Sequence, residues 1–184
     1  MSASADGPGG DATVVALERP PIRQTTVVTA DRSRTFDVFV RRMAEWWPLT
    51  PFSRGGERVR TVVVDEGVGG QVAEVWDDGT SWTWGDVLEW DEPASFAMTW
   101  NVTGTPTVVA LRFQPVTDGI TRVELEHRGW DRLTEAELGE DCAIAGGYRG
   151  GAFHRGWEEI LRRFKDTVEE RTRRATEPQP EDDR

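Results

Sequence analysis

The hydrophobic pattern in the first third of the chain predicts one strand followed by one amphipathic helix. Residues 22–29 are rich in β-branched side chains, which favours a strand. The helix is expected to start near Asp31 or Ser33, because either side chain can cap its first turn. Pro48 should end it, and residues 49–56 then form a loop or a short helix. Apolar side chains recur with helical spacing at Phe36, Phe39, Val40, Met43, Trp46 and Trp47.

Six further strand-like runs follow, separated by short turns. The turn at residues 77–79 is a strong hairpin signal, because Gly79 accepts the positive φ angle that tight hairpins need. Short turns cannot join parallel strands, so the pattern predicts an antiparallel meander. The six runs span residues 58–64, 70–76, 81–90, 95–102, 107–114 and 121–128.

The last periodic segment predicts a long helix over about residues 150–170, roughly 30 Å in length. Gly156 within it costs about 1 kcal/mol relative to Ala, which is tolerable if the bare face lets the helix approach the sheet closely. The element order β-α-α-β6-α predicts an α+β fold, in which a curved antiparallel sheet of about seven strands wraps around this helix. One helix cannot fill the concavity of such a sheet, so bulky side chains or a ligand must occupy the rest. The apolar stripe of the helix comprises Phe153, Trp157, Ile160, Leu161, Phe164 and Val168.

Length and charge set further limits. The 184 residues fit one domain, predicted over residues 21–170, with disordered tails at 1–20 and 171–184. The net charge of −11 argues against nucleic acid and anionic membranes as partners, since both select for clustered cations. We see no signal peptide and no apolar stretch long enough to cross a membrane, so a cytoplasmic location is expected. Nothing in the pattern indicates an oligomeric state.

The nine tryptophans are the sharpest feature of the composition. Indoles offer broad apolar faces and one N–H donor, which suits a cavity that holds a ring system, although ordinary core packing is the alternative for each ring. Trp47 and the glycine-rich residues 146–151 are expected to gate the cavity. The predicted ligand-binding residues are Trp47, Trp82, Trp84, Phe96, Met98, Trp100, Phe153 and Trp157.

No motif indicates catalysis, a metal or a cofactor. Cys142 is the single cysteine, which excludes an internal disulfide, and its acidic surroundings disfavour a nucleophile. His127 and His154 have no accompanying carboxylate motif, and neither HExxH nor Cys-x-x-Cys occurs, so no metal site is expected. No serine lies in a G-x-S-x-G elbow.

Three charged residues interrupt apolar strands, namely Glu74, Asp86 and Arg112. Strand alternation predicts that they point outward. An inward one would orient a polar ligand group or act as an acid or base.

Several blocks in a fixed order resemble the activator of heat-shock protein 90 ATPase homologue group, which belongs to the START-like, or SRPBCC, superfamily. The resemblance covers about residues 22–169. The blocks are WGDVLEWDEP at 84–93, FAMTW at 96–100, TVVALRFQP at 107–115, GITRVELEHRGW at 119–130 and GWEEIL at 156–161.

The resemblance implies a helix-grip fold with a deep apolar cavity between the sheet and the C-terminal helix. It favours binding of a small apolar molecule, with no cofactor, by a bacterial protein. A cyclase or hydrolase is the second hypothesis, with His127, Asp86 or Glu74 as base. A chaperone-interacting module is the third, although this chain is expected to lack the additional N-terminal domain of the eukaryotic co-chaperones. The third hypothesis predicts a large exposed apolar patch on the protein surface, where the partner would bind.

Overall fold

Seven strands form one antiparallel sheet in this protein, for which a computed structural model describes residues 19–140 and 143–176. The strands are β1 (Ile22–Val28), β2 (Val59–Val64), β3 (Gln71–Trp76), β4 (Ser81–Asp91), β5 (Ser95–Trp100), β6 (Thr107–Thr117) and β7 (Ile120–Arg128). Strands β2 to β7 pair in chain order, and β1 pairs with β7 at the far edge. The sheet curls, and the predicted meander and α+β helix-grip fold are confirmed.

Short helices fill the segment between β1 and β2. They are α1 (Arg32–Val40), α2 (Met43–Trp46) and α3 (Leu49–Phe52). Asp31 caps α1 as predicted, because its carboxylate accepts the Arg34 backbone N–H at 2.8 Å. The expected continuous helix divides at Arg42, whose φ of −110° and ψ of 26° leave the helical region. The apolar stripe continues across this break and stays buried.

The C-terminal helix α5 (Ala152–Thr176) extends six residues beyond the predicted domain end. Its predicted apolar stripe is buried throughout. Phe164 contacts the rings of Phe39 and Trp46, with centroids 4.9 and 5.2 Å apart, so α5 packs directly on α1 and α2. The remaining tail residues, 1–18 and 177–184, lie outside the described residues.

A second small core closes one end of the domain. The unpredicted helix α4 (Glu135–Gly139) begins with a capping box between Thr134 and Glu137. Trp130 lies under it and is fully buried. Arg19 belonged to the predicted tail, but its guanidinium bonds the Trp130 carbonyl at 3.0 Å, which ties residue 19 to this end of the domain.

None of the described helices is long and apolar enough to cross a membrane.

Candidate functional site

A cavity of about 420 Å³ lies at one end of the concave sheet face, between β4, α3 and α5. Its walls are mainly aromatic, with Phe52 and Phe153 beside five tryptophans. The volume falls in the range typical of small-molecule sites, roughly 300–1,000 Å³. The tryptophans are Trp47, Trp82, Trp84, Trp100 and Trp157.

Six of the eight predicted ligand-binding residues line this cavity, and Phe96 and Met98 do not. Both lie on the inward face and are buried, with 1% and 3% of their surface exposed. The other half of the sheet is covered by aromatic side chains: Phe96 contacts Trp90, and Trp90 contacts Phe36 of α1. Phe96 and Met98 are therefore core residues, which corrects their predicted placement at the cavity.

Trp47 lies at the centre of the tryptophan wall. Its ring centroid is 4.8 Å from Trp84, 6.0 Å from Trp100 and 6.1 Å from Trp157. Its indole N–H donates to the Phe52 carbonyl at 3.0 Å. Trp47 is thus packed into the wall, and its role as a gate stays a prediction.

Glu74 is fully buried behind this wall, so the prediction that it points outward is wrong. Its carboxylate accepts four N–H groups at 2.7–3.1 Å. Two are the backbone N–H groups of Arg54 and Gly55, and two are the indoles of Trp76 and Trp84. A carboxylate has about four lone-pair positions, so Glu74 is saturated. Glu74 therefore joins the loop formed by residues 53–55, beside the cavity, to Trp84 in the tryptophan wall.

His127 is also buried behind the wall and links three strands to α5. Its Nδ1 accepts the Trp157 indole N–H at 3.0 Å. Because an indole only donates, Nδ1 carries no proton, and Nε2 donates to the Thr107 hydroxyl at 2.7 Å. That hydroxyl in turn donates to the Trp100 carbonyl at 3.3 Å. Burial lowers the pKa of His127 to about 3, which keeps the ring neutral.

Three charged side chains are part of the cavity lining, namely Arg54, Glu137 and Glu140. The Arg54 guanidinium lies 5.1 Å from the centroid of the Trp82 ring. Glu137 and Glu140 also line the rim. The backbone N–H of Thr134 and the hydroxyl of Thr105 lower the pKa of Glu137 to about 2, so it is ionised and its oxygens are engaged.

The glycine-rich segment at 146–151 forms a tight hydrogen-bonded turn before α5. A Cβ on Gly147 would lie 2.3 Å from the Leu138 carbonyl oxygen, so close packing against α4 requires glycine there. The cavity lining includes Ala143 and Ile144 from the residues just before this turn. The gate function of the segment stays a prediction.

The other candidate residues lie away from the cavity. Asp86 is exposed, as predicted, and accepts from Gln71 at 2.9 Å. Arg112 and His154 are exposed too, and Cys142 lies outside the described residues. Within residues 19–140 and 143–176, no cluster of His, Cys, Asp and Glu is arranged to hold a metal ion.

Sequence reasoning missed the α3 wall of the cavity, which includes Phe52. The residue that could have indicated this wall is Gly156, because a glycine in a helix allows another element to approach closely. The sequence pattern assigned that approach to the sheet. A Cβ at Gly156 would instead lie 3.2 Å from Phe52, so the glycine lets α3 approach α5.

Comparison with solved structures finds proteins of the same fold. Anthrahydroquino-gamma-pyrone synthase Txn09 is 31% identical over 81% of this chain and 97% of that chain, with a TM-score of 0.55. The self-sacrificing resistance protein CalC from Micromonospora echinospora is 24% identical over 83% and 96% of the two chains, with a TM-score of 0.57. A conserved protein of unknown function from Enterococcus faecalis is 14% identical over 80% and 70%, with a TM-score of 0.55.

Comparison with curated protein sequences finds no match. The model of the family called activator of Hsp90 ATPase homolog 1-like protein matches residues 29–169, and so spans most of the chain. This match agrees with the resemblance carried by the blocks between residues 84 and 161, and with the helix-grip fold. The chain therefore belongs to the activator of Hsp90 ATPase homolog 1-like family.

Proposed function

We propose that this protein binds a small hydrophobic or aromatic molecule in the cavity between the sheet and α5. The observation that carries the proposal is the wall of five tryptophans around an open space of about 420 Å³. Aromatic walls with a few polar groups at the rim are typical of small-molecule sites. The name of Txn09 specifies a fused-ring aromatic product, which makes a planar polycyclic compound the first class to test.

The wall is held in place before any ligand arrives. Glu74 fixes Trp84, His127 fixes Trp157, and the Phe52 carbonyl fixes Trp47. Rings that are already ordered lose little conformational entropy when a ligand stacks against them. The geometry therefore supports binding to a rigid aromatic surface.

Tryptophan fluorescence provides the test, with anthraquinone-2-carboxamide as a planar neutral probe. We expect saturable quenching in the wild type and at least about tenfold weaker binding in Trp82→Ala, because this wall residue is only half-buried and its loss removes stacking area. Trp90→Phe is the matched control, since Trp90 lies in the core beside Phe36. Absence of saturable binding, or equal losses in both variants, would refute the proposal for this class of molecule.

A cyclase or hydrolase that uses the same cavity is the second candidate, favoured by the 31% identity to a synthase. None of the three candidate bases is part of the cavity lining: Glu74 and His127 lie behind the wall, and Asp86 is exposed elsewhere. Glu137 is engaged by threonine donors, so Glu140 is the remaining carboxylate among the described residues that line the cavity. Glu140→Gln should then abolish turnover of a bound polyketide while retaining binding; unchanged turnover would remove Glu140 from this role.

A chaperone-interacting role is the weakest of the three. Within residues 19–140 and 143–176, the exposed large apolar side chains are single residues on separate segments, which differs from the broad patch that a partner-binding surface needs. They are Val27, Val63, Val68, Leu88, Val102 and Val116.

A further inference from the structure

We infer that the cavity selects aromatic molecules that carry a carboxylate, and that Arg54 recognises that group. The inference rests on the proposed binding function and specifies the chemistry of the ligand. It starts from the distribution of charge around the cavity. Arg54 is the one cationic side chain among the described residues that line it.

The Arg54 guanidinium is placed over an aromatic ring of the wall. Its central carbon lies 5.1 Å from the centroid of Trp82, within the range of cation–π contact. A planar ligand stacked on the tryptophan wall would bring its ring edge close to this guanidinium. An acidic substituent on that edge could then accept two parallel N–H bonds, because the planar fork of arginine matches a carboxylate.

The guanidinium is free to make these bonds. No carboxylate lies within ion-pair distance of it among residues 19–140 and 143–176, although Arg41, Arg58 and Arg162 each have such partners. Neither of the two carboxylates at the rim forms an ion pair with Arg54, and the oxygens of Glu137 accept hydrogen bonds from Thr105 and Thr134 instead.

The backbone beneath Arg54 is fixed independently of its side chain. The N–H groups of Arg54 and Gly55 donate to the buried Glu74 carboxylate at 3.1 and 2.7 Å. A change at the Arg54 side chain therefore leaves these backbone bonds in place. The cation can be removed without dismantling the loop, which makes its role separable from folding.

Isothermal titration calorimetry with two matched probes tests the inference. Anthraquinone-2-carboxylate carries the acidic group, and anthraquinone-2-carboxamide is its neutral counterpart. We expect the wild type to bind the carboxylate about tenfold more tightly, the effect of one charge-assisted contact at an exposed rim. Arg54→Gln should abolish this preference with little effect on the carboxamide. Arg54→Lys should retain part of the preference, because it keeps the charge but loses the planar fork.

Arg60→Gln is the matched control, since Arg60 is an exposed cation on β2 outside the cavity lining. It should leave the preference unchanged. Equal wild-type affinity for both probes, or a preference that survives Arg54→Gln, would overturn the inference and leave the proposed function intact. Failure of both probes to bind would contradict the proposed function for planar aromatic compounds, and the inference with it.

Discussion

The indole N–H of Trp157 donates to Nδ1 of His127 at 3.0 Å, and this bond joins the C-terminal helix to the sheet. It also determines the chemical state of the imidazole, because an indole cannot accept a hydrogen bond from a protonated Nδ1. A protonated His127 would place two N–H donors against each other in a buried site. The wall of the cavity and the neutrality of this histidine are therefore coupled.

This coupling predicts how stability depends on pH. The pKa of His127 is about 3 in the folded protein, below the ordinary value of 6.5. As pH falls, His127 takes up a proton in the unfolded chain before it does so in the folded protein. The contribution of this histidine to the free energy of unfolding is therefore complete above pH 6.5 and is lost as pH falls toward 3. Urea unfolding at intervals from pH 7 to 4 should show the free energy of unfolding decreasing by up to about 1.4 kcal/mol per pH unit from this group.

The variant His127→Gln isolates the effect, because a neutral amide keeps one acceptor and one donor but does not titrate. Its free energy of unfolding should change less with pH than that of the wild type. His154→Gln, at an exposed helix position, is the control and should follow the wild type. Identical pH profiles for His127→Gln and the wild type would show that His127 is not buried as a neutral group.

Trp157→Phe tests the same bond from the other side. The phenyl ring keeps most of the apolar surface but leaves Nδ1 of the buried histidine without a donor, which costs about 1–3 kcal/mol. Trp90→Phe makes the same truncation at a ring whose Nε1 bonds no described residue, and should cost less. Denaturant midpoints measure both. Equal losses would mean that the bond contributes nothing beyond ring packing.

Glu74→Gln should destabilise the protein by about 3 kcal/mol or more. The amide nitrogen would face N–H donors where the carboxylate now accepts all four bonds, so two donors lose their acceptor in either orientation of the amide. Asp86→Asn, an exposed carboxylate on the adjacent strand, should stay within about 0.5 kcal/mol of the wild type. Unchanged stability of Glu74→Gln would show that the hydrogen bonds from Glu74 do not hold the loop of residues 53–55 against the tryptophan wall.

The position of Glu74 shows where the sequence pattern stops being informative. Strand alternation assigns one face to each residue, but Val72, Ala73 and Glu74 are buried in succession. The pairing of β3 with β4 shifts register between Val72 and Ala73, and the 53–55 loop covers Glu74 from the other side. The register shift and the covering loop both depend on contacts with other parts of the chain, so the residue pattern along β3 alone could not reveal that Glu74 is buried.

The strands, the Asp31 cap and the buried stripe of α5 were predictable because each depends on local chemistry or on one periodicity. Periodicity also placed Phe96 and Met98 correctly on the inward face. Periodicity does not reveal which element covers that face. Phe36 of α1 covers this half of the sheet, and the cavity lies at the other half, beside Trp100.

Gly85→Ala tests the close approach of β4 to β5. A Cβ at this position would lie 1.8 Å from the backbone carbonyl oxygen of Thr99, which cannot yield as a flexible side chain would. We expect a loss of about 3 kcal/mol or more, or failure to fold, measured by thermal unfolding. Gly139→Ala is the control, since a Cβ there meets nothing within 4 Å. Tolerance of Gly85→Ala would contradict the described strand spacing.

The central claim concerns which tryptophans meet a ligand, and the indole N–H signals of a ¹H–¹⁵N correlation spectrum report on it directly. The nine signals can be assigned with single Trp→Phe variants. On titration with anthraquinone-2-carboxylate, the signals of the five wall tryptophans should shift and saturate together, while those of Trp76, Trp90 and Trp130 stay in place. Shifts confined to these three, or no saturable shift at all, would contradict the account.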